Sequence, residues 1–245
     1  MGSALVDAFV PLGIKEKNNK ISLKTGTKIA VENIVFSVGG GGINSAICAS
    51  KLGLKVGIIG KIGKGYNGKI ILRELKEQKI DYLGSLSNNH TGYSIIIEST
   101  NKQGTILTSK GVSNSLSPTE INFNKINSSW IHCTSMGGKS LATQLKIVHF
   151  AAKKNTKISF NPSIYQIKKN KKEVLELIKY CTVISMNKEE ALLLTGKKDK
   201  LPELGVSIRN GLEVLNGNER LKIGAIKDLQ EELDKLEKKI INKTA

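Results

Sequence analysis

Cysteine, arginine and aromatic residues are scarce in this 245-residue chain, and each shortage excludes something. Cys48, Cys133 and Cys181 are too few and too far apart for a disulfide framework, and their spacing fits no metal-ligand pattern. A reducing cytosol suits such usage. Of the 38 basic residues only Arg73, Arg209 and Arg220 are arginine, so the formal net charge of +17 is carried by lysines spread along the chain. Lysine lacks the planar fork that reads base edges and grips phosphates in pairs. Aromatic residues make up 4 %, which leaves few platforms on which single-stranded bases could stack. No specific nucleic-acid partner is expected, and the lysines read as a solvated surface with at most a general attraction for polyanions. No apolar run reaches the ~20 residues that cross a bilayer. The start, Met1 to Asp7, has no basic segment, so neither a membrane span nor a secretory leader is expected and the cytoplasm is the expected compartment.

What is present is a globular composition, 39 % hydrophobic and 24 % charged, in a chain long enough to bury a large core. Ala4 to Val10 is a short apolar run. Ile21 to Lys24 and Lys28 to Val35 alternate with period two, which predicts half-buried strands. Helical spacing follows over Ile43 to Leu52 and Lys69 to Gln78, with a strand at Lys55 to Ile59 between them. His90 to Ser99 and Thr105 to Thr108 predict a hairpin. Strands at Trp130 to Thr134, Lys157 to Phe160 and Thr182 to Met186 alternate with helices at Leu141 to Lys154, Glu173 to Tyr180 and Lys188 to Leu194. That alternation argues for a parallel sheet covered by helices, with the extra strands at 21–35 and 91–108 forming a small second sheet. Leu204 to Leu215 and Ile226 to Ile240 read as helices.

Two glycine-rich turns carry most of the chemical information. Gly63 to Gly68 spells G-x-G-x-x-G between a strand and a helix, the setting in which a dinucleotide pyrophosphate rests on a helix N-terminus, and Asp81 lies near the expected ribose position. A nicotinamide-type oxidoreductase is therefore one reading. Neither turn contains G-K-[ST], which argues against a P-loop. The other turn, Gly39-Gly40-Gly41-Gly42, lets backbone approach a polar ligand closely. Asn44 follows it, either as a helix cap or as a donor and acceptor for hydroxyls. Asn187 and Glu190 fit a capping box at the start of the Lys188 helix. His132 and His149 have no ligand partners in the pattern and read as structural, and His90 reads as a loop residue.

Several of these segments together resemble the ribokinase-like (PfkB) carbohydrate kinases. Gly39 to Ala46, then Leu52 to Val56, then Gly60 to Gly63 with Gly68, are similar to the family's first signature. Met1 to Val10 resembles its first strand, Gly104 to Asn114 the approach to its G-x-N loop, and Asn187 to Glu190 with Leu194-Thr195-Gly196 its N-x-x-E motif. The resemblance implies an α/β fold with a Rossmann-like three-layer core and a small β-sheet lid. The core would span 1–200 with a lid from about 11–37 and 88–114, and 201–245 would be a helical remnant. It implies ATP-dependent phosphorylation of a sugar or nucleoside hydroxyl. Asp7, Gly39, Gly40 and Asn44 would bind the substrate. Asn187 and Glu190 would organise Mg²⁺ and phosphate through water, with no direct metal ligand.

The same resemblance exposes a departure. The family's D-T-x-G-A-G-D stretch, which supplies an anion hole and the base, has no counterpart here, and Gly65 stands where the family usually has Asp. No catalytic residue is assigned. The expectation is an incomplete sheet and a truncated kinase with weak or no turnover, prone to pair with itself through the lid or an exposed sheet edge. A non-catalytic binding protein using the basic surface and the terminal helix is the remaining alternative.

Overall fold

The apolar run at the start becomes strand β1 (Leu5–Pro11), and the segment before the four glycines becomes β2 (Val35–Gly39), in a computed structural model of the chain. The structure describes residues 1–18, 20–100 and 104–196, and the strand residues 205–207, 214–216 and 219–221. These fall into two compact units, one of residues 2–122 with 138–140, the other of Met1 with 123–137 and the chain from 141 onward.

In the first unit α1 (Gly41–Lys51) follows β2 directly, then β3 (Gly57–Ile58), β4 (Lys61–Gly63), α2 (Tyr66–Glu77), β5 (Asp81–Tyr82), β6 (Ser85–Ser87), β7 (Thr91–Glu98) and β8 (Gly104–Gly111). Its main sheet has the order β2-β1-β7-β8. β1 runs antiparallel to β2 and parallel to β7, and β7 and β8 form the expected hairpin. Ala4 and Val6 turn one face of β1 into a core with Ile43 and Ala46 of α1, Ile71 and Leu75 of α2, and Ile58, Ile62 and Ile80. The apolar spacing of both helices is thus spent on one cluster, and burying such side chains contributes about 1.5–3 kcal/mol each.

The strands expected at 21–24 and 28–34 do not form: residues 21–34 contain no strand, and pairing begins only at Val35. Leu23, Ile29 and Ile34 stay exposed. A period-two pattern stabilises a strand only where a neighbour takes its hydrogen bonds and one face is buried, and this stretch has neither, broken by Gly26 at φ 75°.

The second unit contains β9 (Trp130–Thr134), α3 (Gly138–Lys153) apart from its first three residues, β10 (Lys157–Asn161), α4 (Ile164–Ile178), β11 (Val183–Ser185), α5 (Lys188–Thr195), β12 (Gly205–Ser207), β13 (Val214–Asn216) and β14 (Glu219–Leu221). β9, β10 and β11 are parallel, as the alternation of strands and helices predicts, and β12, β13 and β14 extend the same sheet antiparallel. Ile131, Ile147, Ile158, Phe160, Val174 and Ile184 are buried in this unit. α4 starts earlier than its apolar spacing indicates, because the Ser163 hydroxyl accepts the Gln166 amide at 3.3 Å and caps it. Asn170 then interrupts the helix at φ −139°.

The helix expected over 204–215 is corrected by β12 and β13. Glycine and valine are poor helix formers, and the open edge of β11 offers Gly205-Val206-Ser207 an antiparallel partner. The helix expected at 226–240 lies outside the described residues.

Candidate functional site

β1 places Asp7 in register with Ser37 of β2 and Ser94 of β7. Gly39, two residues beyond Ser37, shares that face, and a β-carbon on it would overlap the Asp7 carboxylate. Gly40 takes φ 89°, a left-handed conformation that costs a side-chain-bearing residue dearly, and its β-carbon would lie 2.6 Å from the Ser3 carbonyl oxygen. The Gly42 amide donates to that same carbonyl at 3.1 Å. The four glycines therefore serve two ends. Gly40 and Gly42 let the turn lie against Gly2 and Ser3, and Gly39 leaves room for Asp7.

Lys110 of β8 is accessible along its side chain, yet burial around its ammonium lowers its pKa, and the Asp7 charge opposes that shift. Asn44 does not cap α1. Gly40 stands at the cap position with no side-chain hydrogen bond, and Asn44 lies one turn into the helix. It lines a cleft of about 660 Å³ with Phe36, Val38, Ile47, Lys51 and Arg73, and Asp7 is not among the lining residues. The structure thus brings Asp7, Gly39 and Gly40 together at one strand end and turns Asn44 to a neighbouring cleft.

The second glycine turn is occupied by the chain itself. The Gly63 amide donates to the Thr91 hydroxyl at 2.9 Å, and the Lys64 amide donates to the Ser87 carbonyl at 2.7 Å. A β-carbon on Gly68 would overlap the Gly63 carbonyl. Gly63 and Gly68 are explained by close packing of β4, α2 and β7, which removes the reason to read them as a pyrophosphate cradle. Beside them Lys61 pairs with Glu120 at 2.7 Å. Glu120 also accepts from the Ser117 amide at 2.7 Å and the Ser85 hydroxyl at 3.0 Å.

In the second unit the Asn187 Oδ1 accepts the Glu190 amide at 2.8 Å, and the Glu190 Oε2 accepts the Asn187 amide at 2.9 Å. The capping box is complete and Glu190 is buried. The two side chains face the same way, as their spacing requires, but one oxygen of each is committed to the helix start. No cluster of three or more His, Cys, Asp or Glu suited to a metal occurs among the described residues. A directly held cation therefore does not fit this pair. A hydrated one, touched through water by the second Glu190 oxygen, does, since Mg²⁺ keeps much of its water shell. The histidines are engaged structurally: His132 Nδ1 lies 2.9 Å from the Ser159 hydroxyl, and His149 packs on Tyr180.

Ser37, Ser94, Thr108 and Lys110 escape a reading of the sequence. Only the strand register sets them beside Asp7, and no local motif marks them.

Residues 8–222 match the pfkB family of carbohydrate kinases. A ribokinase from Haemophilus influenzae is 28 % identical over 181 residues, covering 71 % of this chain and 56 % of that protein, so the chain spans about half the length of this curated relative. Among solved structures, ribokinase from Arabidopsis thaliana complexed with ribose and ATP superimposes with a TM-score of 0.67 at 19 % identity, over 96 % of this chain and 67 % of that one. Adenosine kinase from Sinorhizobium meliloti gives 0.67 at 16 % identity, over 91 % and 78 %. Likeness at such identities establishes the ribokinase-like α/β fold. No helix among the described residues is long and apolar enough to cross a membrane.

Proposed function

The chain belongs to the pfkB family of carbohydrate kinases, and on that footing we propose that it is built to pass the terminal phosphoryl group of ATP to a hydroxyl of a sugar or nucleoside. The single observation that supports the substrate side is the Asp7 carboxylate set over Gly39. An ionised carboxylate is an acceptor only, and it holds two neighbouring hydroxyls of a polyol while Gly39 keeps its approach unobstructed. Asn44, on the first turn of the following helix, offers a donor and an acceptor from the adjoining cleft. Asn187 and Glu190 are assigned to the phosphate side, where Mg²⁺ supplies charge neutralisation for the transferring group. Glu190 faces its water shell, and Asn187 holds Glu190 in place through the cap.

Turnover is proposed to be weak. The sequence contains no D-T-x-G-A-G-D, so no residue is assigned to take the proton from the attacking hydroxyl. A lost base costs about 10²–10⁴ in rate, and each lost anion-hole donor about 10²–10³ more. The proposal extends to a cytoplasmic location, a lid drawn from 11–37 and 88–114, and pairing of two copies along β8, whose Ile106 and Leu107 are exposed at the edge of the sheet.

Transfer of labelled γ-phosphate from Mg-ATP to a panel of sugars and nucleosides, with calorimetric binding of the same compounds, tests the reading. Sugar or nucleoside binding with rates far under the ordinary ~1–100 s⁻¹ of kinases is expected. Ordinary rates would overturn the weak turnover. Absence of binding by every sugar and nucleoside would overturn the substrate assignment, and binding of NAD in their place would restore the oxidoreductase reading.

A further inference from the structure

From the strand register around Asp7 we infer that this protein selects a polyol carrying an anionic group, carboxylate or phosphate, with Lys110 as the residue that recognises the anion. The inference rests on the assignment of Asp7 to substrate and adds the class of substrate it receives.

The register lines up Ser37, Asp7, Ser94 and Thr108 across all four strands. In-register neighbours share a face, so the row is an unbroken line of hydroxyls around one carboxylate. Ser94 is only 3 % exposed, and its hydroxyl is tied to Thr108 at 3.2 Å. The next row on this face, Val35, Phe9, Ile96 and Ile106, is wholly apolar. The row on the other side begins with Gly39 and Leu5, and Leu5 pairs with Gly92. Lys110 lies two residues beyond Thr108 and so returns to the same face.

Two features make Lys110 more than a surface lysine. Gly92 lets β7 lie close against the Lys110 backbone, with the Leu5 side chain filling the space over it, and on this shared face the Asp7 charge reaches the Lys110 ammonium. Yet Lys110 forms no ion pair within 4.0 Å among the described residues, with Asp7 or any other carboxylate. A lysine placed only to neutralise Asp7 would close on it. One held near the carboxylate but unpaired, in surroundings that disfavour its charge, is matched by an anion arriving with the ligand. Asp7 then takes hydroxyls of the same molecule, and the row of Ser37, Ser94 and Thr108 provides further donors and acceptors between the two charges.

The test is binding, which needs no turnover. Calorimetric titration of the full chain compares ribose, ribonate and ribose 5-phosphate, one carbon skeleton with no anion, a carboxylate or a phosphate. Wild type is expected to bind one of the two anions at least about tenfold tighter than ribose, the scale of a hydrogen bond to a charged group, and the stronger one identifies the anion. Lys110→Met is expected to bring all three to parity, and Lys110→Arg to keep the preference. Asp7→Asn is expected to weaken all three together. Because Lys110 lies on an exposed strand, an unchanged thermal transition in Lys110→Met is the control for folding. Equal binding of ribose and both anions by wild type, or a preference that survives Lys110→Met, would overturn the inference and leave the substrate assignment standing. Failure of all three to bind would also overturn the inference, while the wider panel of sugars and nucleosides decides the substrate assignment separately.

Discussion

The carboxylate of Asp7 fills the space that a β-carbon on Gly39 would need. The two residues are 32 positions apart in the chain and meet because β1 and β2 pair antiparallel with Leu5 opposite Gly39 and Asp7 opposite Ser37. A substitution at either one is therefore a statement about the other.

Gly39→Ala is expected to destabilise the protein by about 1–3 kcal/mol, the usual cost of forcing a methyl group into an occupied site. In an Asp7→Ala background most of that cost should disappear. Urea denaturation of the four proteins in this double-mutant cycle measures it. Equal penalties in the two backgrounds would show that the carboxylate is not what the methyl group meets.

Glu120 ties Lys61 of β4 to the residues after β8, and its contribution depends on pH. Burial pushes its pKa up, but hydrogen bonds from Lys61, the Ser117 amide and Ser85, together with the Lys61 charge, outweigh this and hold it below the ordinary carboxylate value. The folded protein therefore releases this proton more readily than the unfolded chain. The stabilisation is complete above the unfolded pKa of about 4.3 and is lost as the pH falls through the lower folded value. Glu120→Gln should cost about 1–3 kcal/mol at neutral pH, and the gap between its melting temperature and that of wild type should narrow below about pH 4. A gap that does not change between pH 7 and pH 3 would contradict the ion pair.

Asn187 carries a structural duty and a proposed functional one, and two substitutions test them. Asn187→Ala should cost about 1 kcal/mol through loss of the cap. Asn187→Ser keeps a capping oxygen and should stay close to wild type in stability. If Asn187 serves hydrated magnesium by holding Glu190 through the cap, Asn187→Ala should lose affinity for Mg-ATP and Asn187→Ser should keep it. Retained affinity in Asn187→Ala would leave the capping box as the whole explanation of this motif.

The second glycine turn gives a graded series. Gly68→Ala must displace the Gly63 carbonyl and is expected to cost about 1–3 kcal/mol. Gly65, at the start of α2, has nothing within 4 Å of a would-be β-carbon, and Gly65→Ala should cost less than about 1 kcal/mol. Thermal melts rank the two. The reverse order would mean that Gly65 is needed for something other than packing.

Much of the fold can be read along the chain. The hairpin of β7 and β8, the glycine stop after α1 and the Asn187–Glu190 cap are all visible, because a turn, a helix end and a cap are satisfied by residues a few positions apart. The parallel strands at 130–134 and 157–161 are visible for a related reason: Ile131 and Cys133, and Ile158 and Phe160, alternate with less buried neighbours at the period of a strand. The readings that failed concern segments whose state depends on a partner. Residues 21–34 alternate like a strand but find no neighbour, whereas 205–207 and 214–216 look helical yet pair beside β11.

The candidate site divides along the same line. The sequence by itself determined that a carboxylate at position 7 precedes a run of four glycines, that the signatures of a sugar-kinase family follow in order, and that the usual base-bearing stretch has no counterpart. Only the tertiary structure decided that Asp7 lies over Gly39, that Ser37, Ser94 and Thr108 extend its row, and that Lys110 stands near it unpaired. Composition and local spacing specify which side chains are available. Strand register, fixed by hydrogen bonds between segments far apart in the chain, specifies which of them share a face, and one residue of slip would have sent every member of the row to the other side.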